Sequence, residues 1–379
     1  MNLTRTAFGT WNGGRFMHFG TPLEADHFAA LIRRAYDRGI RTFLTADTYG
    51  SGAADEALGE ALADVPRDSY CLVGMIGHDF YATLRDGQKG FPRFTDPRVR
   101  GEDAYLDYVR MATEKSLARC RTDRFDCLML HNPDSIGYTS PAVWMAMQRM
   151  QEEKLTDLLG VAPGPANGFT LDLIDCFERF GTLLDWAMII LNPLEPWPGT
   201  LVLGAAEQFG VSLITRVVDY GGLFHDDVKP GHEFGPRDHR TFRPAGWVER
   251  GSAKIEQMRP IAQRHALTML QLSCLWNLAH SPVRSVVPTL IQEVGAAAKP
   301  IEAKLDELAA LPPTALSEEE VRTLAEIGDN RGCMALKGGN PEHTGEPLPD
   351  RWPVTPKLRE VAARWTITPE KDLVQSHAA

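Results

Sequence analysis

A closed barrel of eight strand–helix units is the fold this sequence predicts, and three observations predict it. Eight short β-rich runs recur along the first three hundred residues: Thr6–Trp11, Arg41–Ala46, Tyr70–Met75, Phe125–Leu130, Asp157–Val161, Trp186–Leu191, Ser212–Arg216 and Val283–Val287. Amphipathic stretches separate them, and strict alternation of this kind builds a parallel sheet. Eight such units suit a (β/α)8 TIM barrel, whose single domain runs past 250 residues, within the 379 available here. No GxGxxG follows the first run, which weighs against an open dinucleotide-binding sheet.

The intervening segments read as helices on their own spacing. They are Ala25–Arg38, Asp55–Ala63, Asp103–Cys120, Ala142–Glu153, Leu171–Phe180 and Leu203–Phe209. In Asp103–Cys120, Leu106, Val109, Ala112, Thr113, Ser116, Leu117 and Cys120 recur at helical period and leave Asp107, Arg110, Glu114 and Lys115 for the other face. Two long insertions, Gly77–Gly101 and Val217–Gly251, follow the third and seventh runs. In a barrel these loops lie at the rim where binding sites are built. The barrel is expected over residues 1–316, with residues 317–379 as a C-terminal extension packing on it. Ser317 and Glu320 form a capping box that opens another helix; a Gly/Pro-rich stretch and a last helical stretch, Pro356–Trp365, follow.

Composition excludes several function classes. The net charge is −10, and no Lys/Arg run exceeds the pair Arg33-Arg34. A nucleic-acid binder needs a basic stripe against phosphates, so no nucleic-acid partner is expected. The longest apolar run, Trp186–Leu191, is far too short to span a bilayer, and MNLTRTAFG has no secretory core, so no membrane partner is expected either. Six scattered cysteines without a CxxC pair fit reduced, buried thiols and a cytoplasmic location. Nothing in the sequence indicates an oligomeric state, and the expected partner is a small-molecule substrate.

The segment Thr42-Phe43-Leu44-Thr45-Ala46-Asp47-Thr48-Tyr49-Gly50-Ser51-Gly52, followed by Leu58-Gly59-Glu60-Ala61-Leu62, carries a family pattern, F-D-T-A-x-x-Y-G-x-G then L-G-x-A-L. Phe8-Gly9-Thr10-Trp11, Ser116-Leu117, Asp126, Leu130-His131-Asn132-Pro133, Gly160-Val161, Asn192-Pro193-Leu194 and Gly221-Gly222-Leu223 follow in the same family's order. Over roughly residues 5–325 the chain resembles the aldo-keto reductase superfamily. That resemblance implies a TIM barrel and a catalytic tetrad of Tyr, His, Asp and Lys. Tyr49 matches the acid–base tyrosine and His131 the histidine. Leu44 stands at the aspartate position and Met75 at the lysine position, and Asp47 is a different place in the motif.

The cofactor pattern departs as well. The family holds the nicotinamide carboxamide with Ser-Asn after G-V, whereas Ala162-Pro163 follow here, with no side-chain hydrogen-bonding group. After the eighth run the family reads P-G-A and then a Ser/Lys/Arg cluster; this chain reads Val287-Pro288-Thr289-Leu290-Ile291-Gln292-Glu293, with no cation before Lys299. Arg216 stands where the family often stacks a residue on nicotinamide. Its role as a cofactor contact is therefore conditional on a nicotinamide binding at all.

Leu44 and Met75 leave Tyr49 without a neighbouring charge, so its pKa is expected to rise, and His131, ordinarily near 6.5, becomes the expected shuttling base. Trp11, Leu44, Met75, His78, Phe80 and Tyr220 are the expected pocket lining, with Tyr81, Phe224 and Trp247 as further aromatic candidates. No metal site is expected: His225-Asp226-Asp227 alone is a weak pattern. Lys337, among glycines, is a candidate to lie over the mouth. Three readings follow. The residues favour non-redox Tyr49/His131 acid–base chemistry at a carbonyl- or hydroxyl-bearing carbon (lyase, dehydratase or isomerase), with no cofactor expected. The alternative is an NADP(H)- or NAD(H)-dependent oxidoreductase with unusual anchors, and the third is a non-catalytic binding barrel.

Overall fold

Eight parallel strands run in sequence order around one sheet: β1 Ala7–Gly9, β2 Thr42–Ala46, β3 Cys71–Ile76, β4 Phe125–His131, β5 Thr156–Ala162, β6 Trp186–Ile190, β7 Ser212–Arg216 and β8 Val283–Val287. The structure is a computed structural model that describes residues 2–84, 90–164, 169–235, 237–243, 245–295, 298–331 and 354–373. A parallel bridge between Thr6 and Val286, with Val286 N–H donating to the Arg5 carbonyl at 3.0 Å, joins β8 back to the first strand. The sheet thereby has no free edge.

Each strand lies where the sequence places it, with shifts at the ends. β1 is three residues long because the chain turns at Asn12–Gly14 after Thr10 N–H bonds the Leu44 carbonyl at 2.9 Å. β4 continues to His131 and β5 to Ala162, because their ladder pairs the two as partners.

The side-chain period of two divides the core. Leu44, Ala46, Val73, Met75, Cys127, Met129, Met188, Ile214 and Val287 fill the barrel interior. The alternate positions Phe43, Leu72, Leu128, Leu130, Val161, Ile189 and Leu213 pack outward on the helices. Burying each such side chain contributes about 1.5–3 kcal/mol. The helix layer contains α1 Ala25–Asp37, α2 Ala53–Ala61, α3 Tyr105–Arg119, the short α4 Ser135–Thr139, α5 Pro141–Glu152, α6 Thr170–Phe180, α7 Leu203–Phe209, α8 Trp247–Arg264, α9 Met269–Leu278 and α10 Ile301–Ala309. Thr45 is an outward position that is polar. It donates to Asp55 of α2 at 2.7 Å, and Asp55 also accepts from Ser116 of α3 at 2.7 Å.

Beyond residue 316, α11 Glu318–Gly328 packs on α8, and α12 Pro356–Arg364 packs on α6. The Ser317–Glu320 capping box is formed. Arg364 and the Trp365 indole both bond Glu178 of α6, and Asn330 bonds the backbone of Trp197 on both sides. Most of the Gly/Pro-rich stretch, including Lys337, lies outside the described residues. Among the described residues no helix is long and apolar enough to cross a membrane.

The insertion after β3 folds back on the rim. His78 and Arg93 form an antiparallel bridge, Phe94 N–H bonds the Gly77 carbonyl at 3.0 Å, and Asp79 N–H bonds the Pro92 carbonyl at 2.9 Å. Phe94 then stacks on Tyr108 of α3 at 4.7 Å. Gly77 is the hinge of this path. Its φ is +154°, and a Cβ there would lie 2.6 Å from the His131 carbonyl oxygen. Gly77→Ala should therefore destabilise the fold by about 1–3 kcal/mol, the usual cost of a backbone forced into a disfavoured region. Denaturant titration checks this, and an unchanged midpoint would show that the two strand ends separate freely.

Candidate active site

Tyr49 reaches the barrel mouth because the chain turns sharply after β2. Asp47 N–H extends the ladder by one bond to the Met75 carbonyl at 3.1 Å, and the 3-10 turn Tyr49–Gly52 then leads into α2. The half-buried Tyr49 ring packs against the inner cluster that holds Leu44 and Met75. Trp11 meets it edge-on at 6.3 Å, and His131 meets it perpendicular at 5.6 Å. Burial pushes the Tyr49 hydroxyl up to about 12, with Arg216 pulling weakly the other way. Among the described residues, Arg216 is the one cation that acts on the hydroxyl, and the interior beside the ring is apolar, with Met75 paired to Ala46.

His131 ends β4, buried, and among the described residues its Nδ1 has no hydrogen-bond partner. Burial, then the positive charges of Arg93 and Arg216, hold the ring down at about 3. This corrects the expectation of a histidine titrating near 6.5: in the free protein the ring is neutral across the physiological range. Its other neighbour is His78, whose ring lies 5.2 Å away.

His78 is fixed on both sides. Its Nδ1 lies 3.1 Å from Arg93 Nη1 and its Nε2 lies 3.1 Å from the Asn132 side-chain amide. The Asn132 amide Nδ2 donates to Nε2, and Nδ1 also lies 3.3 Å from the Phe91 carbonyl, which can only accept, so the ring proton sits on Nδ1. Burial, Arg93 and His131 keep this ring well below its ordinary pKa. Arg93 Nε also donates to the Asn132 carbonyl, so this guanidinium lies across the ends of β3 and β4.

On the opposite side Arg216 ends β7 and donates from Nη2 to the Pro163 carbonyl at 2.6 Å. Its guanidinium lies in the field of Tyr49, and a planar cation there would suit stacking on a nicotinamide ring. The residues fit that ring but not a 2′-phosphate after β8. There, Thr289 N–H is taken by Asp219 at 2.7 Å and Leu290 N–H by Asn12 at 2.9 Å. The nearby cations are committed too. Arg240 pairs with Asp238 at 2.8 Å and Glu293 at 2.5 Å, while the fully buried Lys304 pairs with Asp227 at 2.6 Å. An added phosphate would have to displace a buried carboxylate.

The structure thus brings Tyr49, His131, Trp11, Leu44, Met75, His78 and Arg216 to one mouth. Phe80 and Tyr220 are grouped elsewhere. Phe80 lies against Tyr81 at 4.0 Å, and Tyr220 against Trp247 at 5.8 Å and the Arg243 guanidinium at 4.4 Å. Asp47 faces outward, where it accepts from the Tyr81 hydroxyl at 3.1 Å. Burial and nearby Asp55 push its carboxyl well above the usual range. His225, Asp226 and Asp227 are bonded respectively to Thr289, Arg259 and Lys304, and among the described residues no group of three or more His, Cys, Asp or Glu is placed to hold a metal. Sequence reasoning missed Arg93 and the role of Asn132. Asn132 stands in the quoted His-Asn-Pro motif, whereas Arg93 lies in an insertion with no motif at all.

Comparison with known proteins agrees with this architecture. The model of the Aldo/keto reductase family matches residues 6–328. A versiconal hemiacetal acetate reductase from Aspergillus parasiticus is 23% identical over 82% of this chain and 91% of its own. A D-threo-aldose 1-dehydrogenase from Pseudomonas sp. is 27% identical over 70% and 79%. Among solved structures, a glycerol dehydrogenase from Gluconobacter oxydans superposes with a TM-score of 0.66 at 21% identity, covering 86% of this chain and 92% of that one. An aldo/keto reductase from Klebsiella pneumoniae, solved with NADP and acetate, gives 0.56 at 20% identity over 85% and 90%. The match spans nearly the whole barrel, and this chain is an enzyme of the aldo/keto reductase family.

Proposed function

We propose that the enzyme is an oxidoreductase that interconverts a carbonyl and an alcohol on a small molecule, using a nicotinamide dinucleotide. The observation that carries this reading is the perpendicular Tyr49–His131 pair at the barrel mouth, beside Arg216. Relatives named as reductases and dehydrogenases support it. Arg216 would hold the nicotinamide ring, and the bound dinucleotide would supply hydride. The Tyr49 hydroxyl donates a hydrogen bond to the substrate oxygen and gives up its proton as that oxygen becomes an alkoxide. Neutral His131 adds a second hydrogen bond to the same oxygen, and Trp11, Leu44 and Met75 keep water from the site. A tyrosine at about 12 is still acidic enough to protonate an alkoxide. It is a poor base for the reverse step, because at pH 7 only about one molecule in 10⁵ holds the phenolate.

A second reading rests on Ala162-Pro163 and on the occupied donors after β8. In it the same Tyr49–His131 pair moves protons without hydride transfer. Titration with NADH and NADPH separates the two. The redox reading expects NADH to bind more tightly than NADPH, since a 2′-phosphate meets Glu293 and paired cations. Turnover that needs Tyr49 while neither nucleotide binds at millimolar concentration would establish the second reading instead.

Four further outcomes are expected. Tyr49→Phe and His131→Ala should each slow turnover by about 10²- to 10⁴-fold; indifference to both would leave a binding barrel. Alcohol oxidation should rise about tenfold per pH unit between pH 7 and 10. Carbonyl reduction should show no inflection near 6.5, since His131 titrates only at about 3. Leu44→Asp combined with Met75→Lys places an ion pair beside Tyr49, so the oxidation profile should move to lower pH.

A further inference from the structure

We propose that Arg243, on the loop after β7, holds a phosphoryl group, which in the redox reading is the pyrophosphate bridge that NADH and NADPH share. The inference rests on that reading and assigns a residue to a part of the dinucleotide that Arg216 does not hold. Arg243 is only 6% exposed, and among the described residues its Nε and Nη1 have no hydrogen-bond partner. Its buried neighbours differ: Arg240 is paired with Asp238 and Glu293, and Lys304 with Asp227. Asp219, the carboxylate that feels the charge of Arg243, is engaged at both oxygens, by Thr289 N–H at 2.7 Å and Gly222 N–H at 2.9 Å. Unmatched donors on a buried guanidinium are costly, so an arginine in this state marks a place for an anion.

The surroundings decide which way those donors face. The guanidinium carbon lies 4.4 Å from the centre of the Tyr220 ring and 4.7 Å from that of Trp247. Guanidinium N–H bonds lie in the plane of the group, so its edge is what remains for a ligand once the rings cover it. Nε and Nη2 form the two-donor side of that edge, and they lie 3.3 and 3.4 Å from where a Cβ on Gly221 would be. Gly221, at φ +67°, therefore leaves bare backbone beside the fork, and its carbonyl is taken by Arg240 at 3.2 Å. Gly221 stands five residues after Arg216 on the loop leaving β7, and Asp219 ties this loop to Thr289 after β8. A dinucleotide stacked on Arg216 would carry its phosphates onto this seam, where a planar fork matches phosphate oxygens two at a time.

The test uses the full chain and calorimetric titration with NADH, NADPH and inorganic pyrophosphate, so it does not depend on turnover. Arg243→Met should weaken NADH and NADPH by the same factor, about ten- to a hundredfold, the range of lost charge-assisted hydrogen bonds. Arg243→Lys keeps the stem and the charge but not the fork, and its affinities should fall between. Pyrophosphate should raise the thermal midpoint of the native chain and leave that of Arg243→Met unmoved. Native NADH affinity in Arg243→Met overturns the proposal, as does a loss confined to NADPH, which would put the 2′-phosphate there instead. If Arg243→Met does not fold, Arg243→Lys decides, and native affinity in that variant also overturns it. If pyrophosphate binds through Arg243 while neither nucleotide binds the native chain, the redox reading fails and the phosphoryl site stands. NADH binding that is indifferent to Arg243 has the opposite meaning.

Discussion

The closure of the sheet is the constraint on which the rest of this structure depends. β1 contributes only three residues, and the bridge from Thr6 to Val286 still completes the ring. A parallel barrel brings every strand's C-terminal end to one rim. Residues 49, 78, 131 and 216 therefore meet at one mouth although 167 positions separate the first and last. An open sheet would hold the ends of β1 and β8 apart and would leave Asn12 far from Leu290, which it bonds at 2.9 Å.

Within that mouth, electrostatics is set by what is absent from the interior. The barrel below Tyr49 is lined by Leu44, Met75, Val73 and Met129, so nothing there offsets the cost of a phenolate. The cations near the site come from the rim. Arg216 faces Tyr49 and His131 from β7, and Arg93 faces His131 and His78 from the β3 loop. Rim cations cannot be buried beneath the tyrosine as a lysine at position 75 would be. Both act on His131, whose ring they help to hold neutral. The result is a site that donates hydrogen bonds well and accepts protons poorly at neutral pH.

The two long loops show how a barrel spends its insertions. The β3 loop is held by Tyr108, whose hydroxyl donates to the His78 carbonyl at 2.9 Å and whose ring lies under Arg100 and against Phe94. The β7 loop is held by a buried charge network, Asp238–Arg240–Glu293, that also reaches Gly20 N–H at 2.8 Å. Removing one member would strand a buried charge, so such networks tolerate little change. The segment after β8 is consequently a structural joint, and this limits what else can bind there.

Hydrophobic periodicity and turn residues are local properties, and they were enough to determine eight strands, most of the helices and the capping box at Ser317. Ordered motifs were enough to single out Tyr49 and His131, whose rings the barrel brings within 5.6 Å of each other. What the sequence by itself did not determine depends on contacts between distant residues. Arg93 reaches the site only because Gly77 and Phe94 fold its loop back across β4. Phe80 and Tyr220 have the composition of a pocket wall, yet each joins another aromatic cluster, because loop direction is set by hydrogen bonds such as Gly222 N–H to Asp219 rather than by period. The neutral state of His131 was equally out of reach, since it depends on burial and on two arginines that lie 38 and 85 residues away. Residue types are read from the chain directly; their charge states and neighbours exist only once the barrel has closed.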